Sequence, residues 1–348
     1  MLAEQVSPSM KIAVCGAHKP FMRGGAEMLM SNLVIALEDA GHEAELIRLP
    51  VAWDQTRVFD AALAWRLVPV DADAVIATNF PSYYVNHPNK VVWLLHQHRA
   101  VYDAADAAWS DVGYDSMSLE TQRLLAEWDT RALEEARALF AVSEVVAQRL
   151  KHFNGLSSHV LYHPPPLHGQ LHPGTFGDYV FAPMRLERNK RPELAVEALA
   201  FWDPRIRLVL TGPGSLEADL RTSAARHGVA ERLRITGFLD DSTLVDTFAG
   251  ALAVVYAPFE EDYGYVTLQA FLAGKPVITS HDSGGVLEWV EDGVNGFVTD
   301  GTAAAIGAAV TRLAADPGLA QRMGEAGRAR VAALDWADVI RALEGAVR

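Results

Sequence analysis

Short apolar runs alternate with segments of helical periodicity along most of the chain. An apolar run bounded by turn residues is typical of a buried strand, and apolar residues three or four positions apart indicate an amphipathic helix. Because the two kinds of segment alternate, we predict an α/β protein whose parallel sheets are covered by helices. The predicted strands cover residues 11–15, 44–48, 74–78, 91–95, 138–142, 159–162, 179–182, 207–210, 233–236, 252–256, 277–279 and 296–298.

The clearest predicted helix covers residues 25–40. Leu29, Leu33 and Leu37 share one face of it, and Gly41 follows its end. A second long helix is predicted after the fourth strand, and the chain is predicted to finish in helices. These further helices are expected over residues 119–137, 302–315 and within 317–348.

Residues 163–177 are rich in proline and glycine and show neither strand nor helix periodicity. Such a segment is typical of a linker, so we predict two domains that meet there. After it the alternation of strand and helix restarts. The predicted divisions are a loose tail at 1–10, a first domain at 11–168, a second domain at 169–332 and a last helix at 333–348.

The composition narrows the class of protein. The chain has 348 residues, enough for two domains that each bury a core, and a net charge of −14 that argues against a nucleic-acid partner. The single cysteine, Cys15, rules out a disulfide framework and is expected to be a small buried residue. The sequence shows no apolar run of membrane-spanning length and no signal-peptide pattern, so we expect a cytoplasmic protein.

The stretch from residue 256 to 296 carries the most specialised residue types. A buried strand stops at Pro258, and a carboxylate, Glu261, follows in the loop. Gly264 then opens a helical segment that ends at Gly274. A helix start presents free N–H groups and attracts anions, whereas a carboxylate suits a neutral, hydroxyl-rich group. The combination predicts a site for a sugar attached to a diphosphate.

This stretch resembles the donor-site signature of retaining glycosyltransferases of family 4, also called glycosyl transferases group 1. The resemblance implies the GT-B fold, with two Rossmann-like domains facing across a cleft, the first for the acceptor and the second for the nucleotide-sugar donor. In that family two Glu residues eight positions apart frame the donor. Here the first is Glu261, and Gln269 stands in the place of the second.

The resemblance also implies roles for these residues. Glu261 is expected to contact hydroxyls of the donor sugar, and backbone amides of Gly264, Tyr265 and Val266 to face the sugar and diphosphate. Gln269 takes the place of the acid that binds the ribose hydroxyls. Because a neutral amide binds a diol less strongly than a carboxylate does, we expect this change to affect nucleotide affinity rather than chemistry.

Basic residues cluster after the strand at 179–182. Arg185 and Lys190 match the family pair that neutralises the diphosphate, and Arg188 and Arg191 add charge. A nucleoside diphosphate leaves with growing negative charge, which fixed cations in a water-poor site stabilise. Taken without the neighbouring signature, the same residues would also fit a solvated turn before a helix.

Other positions resemble donor-side loops of the family. Gly212 and Gly214 end one strand, and Phe238 and Leu239 follow the next, near where a base is expected. Each could equally serve turn geometry. The family's glycine turn and the acid behind its donor site are matched by Ser283, Gly284, Gly285 and Glu288.

In the first half, Gly24, Gly25 and Glu27 match the family's GGxE loop, where glycines allow backbone to approach the donor phosphate or the acceptor. The family also carries a histidine close to the donor sugar, which His96 matches at the end of a predicted strand. We include His96 with Glu261, Arg185 and Lys190 as the catalytic set. Residues predicted on the acceptor side are Glu27, His98 and Arg99, with Lys19, Phe21, Met22 and Arg23 as a loop that could touch a lipid-linked acceptor.

Asp71 and Asp73 spell the DxD motif by which another large glycosyltransferase fold holds a metal. Here both acids precede a strand, where they more simply cap it, and the sequence has no cluster of His or Cys with metal-ligand spacing. We therefore predict metal-independent chemistry and no cofactor beyond the nucleotide-sugar substrate.

The resemblance implies a retaining hexosyltransferase that moves a sugar from a UDP- or GDP-sugar to a hydroxyl of a glycan or lipid-linked acceptor, in polysaccharide biosynthesis. Peripheral contact with the inner face of the membrane stays open. Three alternatives remain: a catalytically weak sugar-nucleotide-binding protein, a GT-B UDP-sugar epimerase, and a Rossmann dehydrogenase. The dehydrogenase is disfavoured because the first strand leads into no GxGxxG fingerprint.

Overall fold

A computed structural model describes residues 9–21, 24–51, 57–99, 102 and 119–347 of the chain. These residues fall into two compact units. Unit 1 comprises the described residues up to His163 together with those from Asp335 onward, and unit 2 comprises Pro164–Leu334. Residues 1–8 of the predicted tail, and Met22 and Arg23 of the predicted acceptor loop, lie outside the described ranges.

Unit 1 is built on a six-stranded parallel sheet in the order β2-β1-β3-β4-β5-β6. The central strands β3 and β4 are buried along almost their whole length, as expected for parallel strands covered on both faces. The strands are β1 (Lys11–His18), β2 (Glu43–Pro50), β3 (Ala74–Asn79), β4 (Lys90–His96), β5 (Ala138–Ala141) and β6 (His159–Val160). The helices are α1 (Gly25–Asp39), α2 (Val58–Leu67), α3 (Leu119–Glu134), α4 (Glu144–Asn154) and α11 (Trp336–Val347).

Unit 2 has a second six-stranded parallel sheet, in the order β12-β11-β10-β7-β8-β9. Its strands are β7 (Tyr179–Pro183), β8 (Arg207–Thr211), β9 (Leu233–Ile235), β10 (Ala253–Val255), β11 (Val277–Ser280) and β12 (Gly296–Thr299). Its helices are α5 (Pro192–Ala198), α6 (Glu217–Arg226), α7 (Asp241–Gly250), α8 (Tyr265–Leu272), α9 (Ala303–Ala315) and α10 (Pro317–Val331). The structure confirms the predicted fold class, and each predicted strand coincides with an observed one.

The last helix, α11, belongs to unit 1 although it follows unit 2 in sequence. Trp336 at its start packs edge-on against Trp93 of β4, with ring centroids 6.2 Å apart. Further along, Glu344 lies 2.7 Å from Nε2 of His42, whose Nδ1 accepts a hydrogen bond from the Met10 amide. Since Nδ1 acts as an acceptor, Nε2 carries the hydrogen and donates a hydrogen bond to Glu344.

The segment predicted as a linker packs against unit 2. Gly174 and Gly177 lie close to the end of α7, and a Cβ at Gly174 would come 2.4 Å from the Ala249 carbonyl oxygen. The fully buried side chain of Lys275 donates to the carbonyls of Gly174 and Thr175, at 3.2 and 2.7 Å.

Among the described helices, none combines the length and apolar character needed to cross a membrane.

We expect Lys275 to make the stability of unit 2 depend on pH. Burial lowers the pKa of its ammonium from 10.5 to about 8. Between these two values the unfolded chain binds more protons than the folded one, so stability rises with pH in this window. Lys275→Met removes the titrating group and keeps the side-chain length. Relative to this variant, the wild type should gain roughly 1 kcal/mol of unfolding free energy between pH 8 and 9.

Urea denaturation of both proteins at pH 7.5, 8, 9 and 10 measures the difference. Lys151→Met, which replaces an exposed lysine of α4, serves as the control and should show no such trend. The prediction would be contradicted if the unfolding free energies of the wild type and Lys275→Met differed by the same amount at every pH in this range.

Candidate functional site

The predicted donor residues of unit 2 follow four adjacent strands of its sheet. Arg185 comes after β7, Gly212 after β8, Phe238 after β9 and Glu261 after β10. These strands are parallel and neighbours in the order β10-β7-β8-β9, so the loops that follow them emerge at one edge of the sheet. The carboxyl edge of a parallel sheet is where α/β proteins bind ligands.

The loops after β7 and β8 lie against each other. Gly212 has a φ of +130°, and a Cβ there would come 2.0 Å from the Met184 carbonyl oxygen. At Gly214 the corresponding distance to the Leu186 carbonyl oxygen is 2.3 Å. Because any side chain would collide with backbone, both positions require glycine for packing. Packing alone therefore accounts for both glycines, and no ligand is needed to explain them.

Glu261 is the centre of a polar group at this edge. Its Oε2 accepts a hydrogen bond from the Tyr256 hydroxyl at 2.8 Å and forms an ion pair with Nζ of Lys190. Only 15% of the Lys190 side chain and 18% of the Glu261 side chain are exposed. The structure thus places the predicted cation and the predicted acid in direct contact. Two partners on one oxygen fix the orientation of the carboxylate.

The loop that carries Glu261 is held by a glycine turn. A Cβ at Gly284 would lie 2.6 Å from the Glu261 carbonyl oxygen, and one at Gly285 would lie 2.6 Å from that of Asp262. Gly285 also donates its amide to the Glu261 carbonyl at 2.7 Å. The two glycines predicted behind the donor site therefore allow the turn to support the acid through backbone contact.

Arg191, predicted as part of the basic patch, is engaged elsewhere. Its guanidinium pairs with both oxygens of Asp282 at 2.8 and 2.9 Å and donates to the carbonyls of Ala257 and Pro258. A planar guanidinium can satisfy several acceptors in fixed directions, so it suits this task. Arg191 clamps the loop after β10 to the loop after β11, and its charge is already neutralised by Asp282.

Arg185 differs from its neighbours. Its side chain is half-buried, and within the described ranges it has no ion pair and no side-chain hydrogen bond. Burial and the charge of Glu261 raise the pKa of the Tyr256 phenol. The positive charge of Arg185 acts in the opposite direction, which places Arg185 near this phenol. A half-buried cation that lacks a carboxylate partner in the described residues is available to an anionic ligand.

Helix α8 begins next to Glu261. Its N-cap residue, Gly264, has a φ of +85° and no side chain that could satisfy the first amides of the helix. A Cβ there would come 2.8 Å from Cγ2 of Val286. The amide of Val266 stands in the first turn, where a helix offers no internal acceptor. This geometry is that of an anion-binding helix start.

Gln269 lies on the same helix and is 9% exposed. Its Nε2 donates to the carbonyl oxygen of Pro166 at 3.2 Å. A glutamate at this position has no hydrogen to donate and would place an anion beside that carbonyl. The neutral amide therefore ties α8 to the segment that enters unit 2, a contact that the sequence did not indicate.

The remaining predicted donor residues are distributed along the same edge. Phe238 is 79% exposed, which leaves an aromatic face open to solvent, and Leu239 is half-buried. Ser283 is buried and its hydroxyl accepts a hydrogen bond from the Ser280 amide at 3.4 Å. Glu288 contributes a carbonyl that accepts from Arg330 at 3.1 Å.

In unit 1, the predicted glycine loop starts α1. Gly24 is the N-cap residue, Gly25 is the first residue of the helix, and Oε2 of Glu27 accepts from the Gly24 amide at 2.9 Å. The carboxylate predicted on the acceptor side thus caps its own helix. Phe21 is fully exposed in the preceding loop.

His96 ends β4 and is half-buried. Its Nδ1 lies 3.0 Å from the Gln97 carbonyl oxygen, so Nδ1 is the donor in this contact. His98 is only 2% exposed, and its ring stacks on Phe80 with centroids 5.2 Å apart. Burial lowers the pKa of His98 to about 4, which keeps it neutral. Arg99 is half-buried.

A buried acid behind this segment was missed by the sequence analysis. Asp129 of α3 is fully buried and accepts from the hydroxyls of Tyr84 and Tyr102, each at 2.6 Å. Burial raises the pKa of Asp129 to about 6. The network continues through Asn154 to Gln97, so it anchors the segment after β4. The available signal was an acid on the apolar face of a predicted helix.

The acids of the DxD sequence lie at the opposite edge of the unit 1 sheet. Oδ2 of Asp73 accepts from the Lys11 amide at 2.7 Å, so this acid caps the start of β1. Within the part of the chain that the structure describes, no three His, Cys, Asp or Glu side chains are grouped to hold a metal ion.

Solved structures with the same fold extend over nearly the whole chain. Sucrose-phosphate synthase from Thermosynechococcus elongatus aligns with a TM-score of 0.78 at 20% identity, over 97% of this chain and 99% of that one. Anabaena HepE in complex with UDP and glucose aligns with a TM-score of 0.73 at 18% identity, over 97% and 98%. The fold is the two-domain α/β fold of GT-B glycosyltransferases.

Residues 175–330 match the family described as glycosyl transferases group 1. The glycogen synthase of Mycobacterium tuberculosis is 34% identical over 167 residues, which are 45% of this chain and 39% of that protein. The D-inositol 3-phosphate glycosyltransferase of Streptomyces griseus is 31% identical over 165 residues, 44% of this chain and 35% of that protein. The chain thus spans about two fifths of the length of the curated relatives it matches. The residues that match this family lie within unit 2 and make up most of it.

Proposed function

We propose that this protein is a glycosyltransferase whose unit 2 binds a nucleotide-sugar donor. The observation that carries the proposal is the arrangement after β7 and β10, where the half-buried Arg185 lies near the Lys190, Glu261 and Tyr256 group. Next to this group, α8 begins without a side-chain cap. Cations, an open helix start and one oriented carboxylate are what a pyrophosphate linked to a hydroxyl-rich ring requires.

In this proposal Arg185 and Lys190 stabilise the departing diphosphate. An ammonium has three hydrogens, so Lys190 can bind a phosphate oxygen while it remains paired with Glu261. That pairing also reduces the repulsion between the carboxylate and the diphosphate. Glu261 accepts hydrogen bonds from sugar hydroxyls, and the amides of Tyr265 and Val266 face the phosphates. Phe238 offers a stacking surface for the base.

We further propose retention at the anomeric carbon. Double displacement would need a second acid about 5 Å from the first. The sequence suggests one acid for this site, Glu261, and its described hydrogen-bond partners are a lysine and a tyrosine. A front-face path, in which the leaving phosphate accepts the proton of the incoming hydroxyl, needs no protein nucleophile. His96 stays a predicted contact of the donor sugar.

The relatives support a sugar nucleotide as the donor. HepE is described in complexes with UDP-glucose and with UDP and glucose. The curated relatives are a glycogen synthase and D-inositol 3-phosphate glycosyltransferases. These names do not point to one acceptor, so for this chain we keep the broader proposal of a glycan or lipid-linked hydroxyl.

A thermal-shift panel tests the donor. UDP-glucose, UDP-galactose, UDP-N-acetylglucosamine and GDP-mannose are each added with and without EDTA. We expect one donor to raise the melting temperature by several degrees, because a ligand that binds only the folded state stabilises it. The shift should persist in EDTA if the chemistry is metal-independent. A panel with no shift for any nucleotide sugar would contradict the proposal.

Gln269 favours one alternative, a sugar-nucleotide-binding protein with little turnover. In that case a donor would bind but no acceptor would release nucleotide from it. Release of UDP from a UDP-sugar without any acceptor would instead indicate the epimerase alternative. Both outcomes are read from the same assay, which measures nucleotide release with and without sugar acceptors.

We expect Gln269→Glu to strengthen nucleotide binding and weaken the fold. A carboxylate binds a ribose diol more strongly than an amide does, so the dissociation constant of UDP should fall by about 3- to 10-fold. The lost hydrogen bond to Pro166 should lower the unfolding free energy by about 1–2 kcal/mol. Gln170→Glu, an exposed change of the same charge in the neighbouring segment, should alter neither value. Unchanged UDP affinity in Gln269→Glu would argue against a ribose contact at this position.

A further inference from the structure

The two oxygens of Glu261 have different surroundings. Oε2 receives both described hydrogen bonds, from Lys190 and from Tyr256. Within the described residues no donor contacts Oε1. The carboxylate is 18% exposed, so one of its oxygens is committed to the protein while the other is left to a ligand.

Tyr256 is placed to maintain this difference. It follows β10 directly, and its amide donates to the Ile278 carbonyl at 3.0 Å, which holds its backbone in register with β11. The side chain is 4% exposed, and its hydroxyl has Glu261 as its described partner. Burial and the charge of Glu261 raise the phenol pKa well above 10, so the hydroxyl stays protonated and remains a donor.

Lys190 alone would orient the acid less strictly. An ammonium on a flexible four-carbon chain is a point charge that either carboxylate oxygen can approach. A phenol on a packed ring has one hydrogen and a direction set by the strand. The two donors together leave Glu261 a single rotational position.

We propose that Tyr256 is a positioning residue of the donor site, which fixes Glu261 through Oε2 so that Oε1 accepts hydrogen bonds from hydroxyls of the donor sugar. This inference rests on the proposed function and deepens it. The group recognised in this way is a hydroxyl-bearing ring, and a single carboxylate oxygen of Glu261 accepts its hydrogen bonds. Tyr256 acts on the sugar part of the donor and leaves the nucleotide part to other residues.

The test compares Tyr256→Phe with Tyr179→Phe. Tyr179 of β7 lies in the same sheet, and its hydroxyl donates to the Thr247 carbonyl at 2.8 Å, so the control loses a similar hydrogen bond at a distance from Glu261. For each protein, titration calorimetry gives the dissociation constants of UDP and of the donor found in the thermal-shift panel. Steady-state kinetics gives kcat and KM.

We expect Tyr256→Phe to lower kcat/KM for the nucleotide sugar by about 10- to 50-fold while the UDP dissociation constant changes less than twofold. Tyr179→Phe should leave both values near those of the wild type. Donor analogues that each lack one ring hydroxyl sharpen the assignment. One analogue should reduce kcat/KM of the wild type most, relative to the full donor. With Tyr256→Phe the same analogue should cause little further reduction, because the contact of the missing hydroxyl is already weakened in that variant.

Three outcomes are decisive. Equal kinetics for Tyr256→Phe and Tyr179→Phe, in an active enzyme, would overturn the inference and leave the proposed function intact. A parallel loss of UDP and nucleotide-sugar binding in Tyr256→Phe would assign the residue a purely structural role and also overturn it. Failure of the wild type to bind any nucleotide sugar would overturn the proposed function and the inference with it.

Discussion

Arg185→Ala is expected to reduce kcat by about 10²–10³-fold, because a fixed cation beside a leaving diphosphate contributes most where charge develops. The guanidinium is half-buried, and within the described ranges it has neither an ion pair nor a hydrogen bond. Its removal therefore breaks no described contact and should leave the melting temperature almost unchanged. Steady-state kinetics with the identified donor, together with a melting curve, measures both effects.

Arg207→Ala is the appropriate comparison. Arg207 starts β8 at the other edge of the same sheet, where it pairs with Asp178 at 2.7 Å on the surface. It carries the same charge, so its loss changes the net charge of the protein equally. We expect its kinetics to match the wild type, since an exposed ion pair contributes little. Near-normal turnover in Arg185→Ala would remove the residue from the proposed mechanism.

Glu261→Gln is the second variant with a large expected effect. The amide keeps the size of the side chain but lacks the charge that pairs with Lys190 and accepts from Tyr256. Hydrogen bonds to an ionised acceptor are about twice as strong as neutral ones, and the site loses several at once, so kcat/KM should fall by about 100-fold. Binding of UDP alone should be preserved or improved, because the change removes a negative charge near the phosphates.

Glu217→Gln provides the comparison for this variant. Glu217 is likewise ion-paired, with Arg221 at 2.8 Å, but it lies on an exposed helix face. Its kinetics should be unaffected. Calorimetry with UDP and kinetics with the nucleotide sugar separate the two parts of the prediction. If Glu261→Gln lost UDP affinity as strongly as turnover, the acid would be a structural support and not a sugar contact.

Much of the fold followed from local pattern. Each of the predicted strands coincides with an observed strand, because burial on both faces of a parallel sheet demands continuous apolar runs such as residues 91–95. The start of α8 was equally visible at Gly264, since glycine is one of the residues that helices accept at the N-cap. The extent of the second domain was less visible, because residues 164–177 lack periodicity although they pack on unit 2.

The candidate site was predicted as a set of residue types but not as a set of contacts. Lys190 and Glu261 were both named, yet their ion pair joins positions 71 apart in the chain. Arg191 was named for charge, and the structure commits that charge to Asp282. His98 was named for the acceptor side, and the structure buries its ring against Phe80. Pairings over such distances depend on which loops the sheet order brings together.

Local sequence was sufficient to establish the alternation of strands and helices, the glycine-opened start of α8 and the presence of Arg185, Lys190 and Glu261 near strand ends. These features depend on neighbours within a few positions, and burial periodicity and backbone sterics act at that range. Folding into a sheet in the order β10-β7-β8-β9 was needed to make Tyr256 and Lys190 share one oxygen of Glu261 and to leave Arg185 without a described partner. Charge neutralisation and hydrogen-bond direction are properties of residues in contact, and contacts between distant positions exist only in the folded chain.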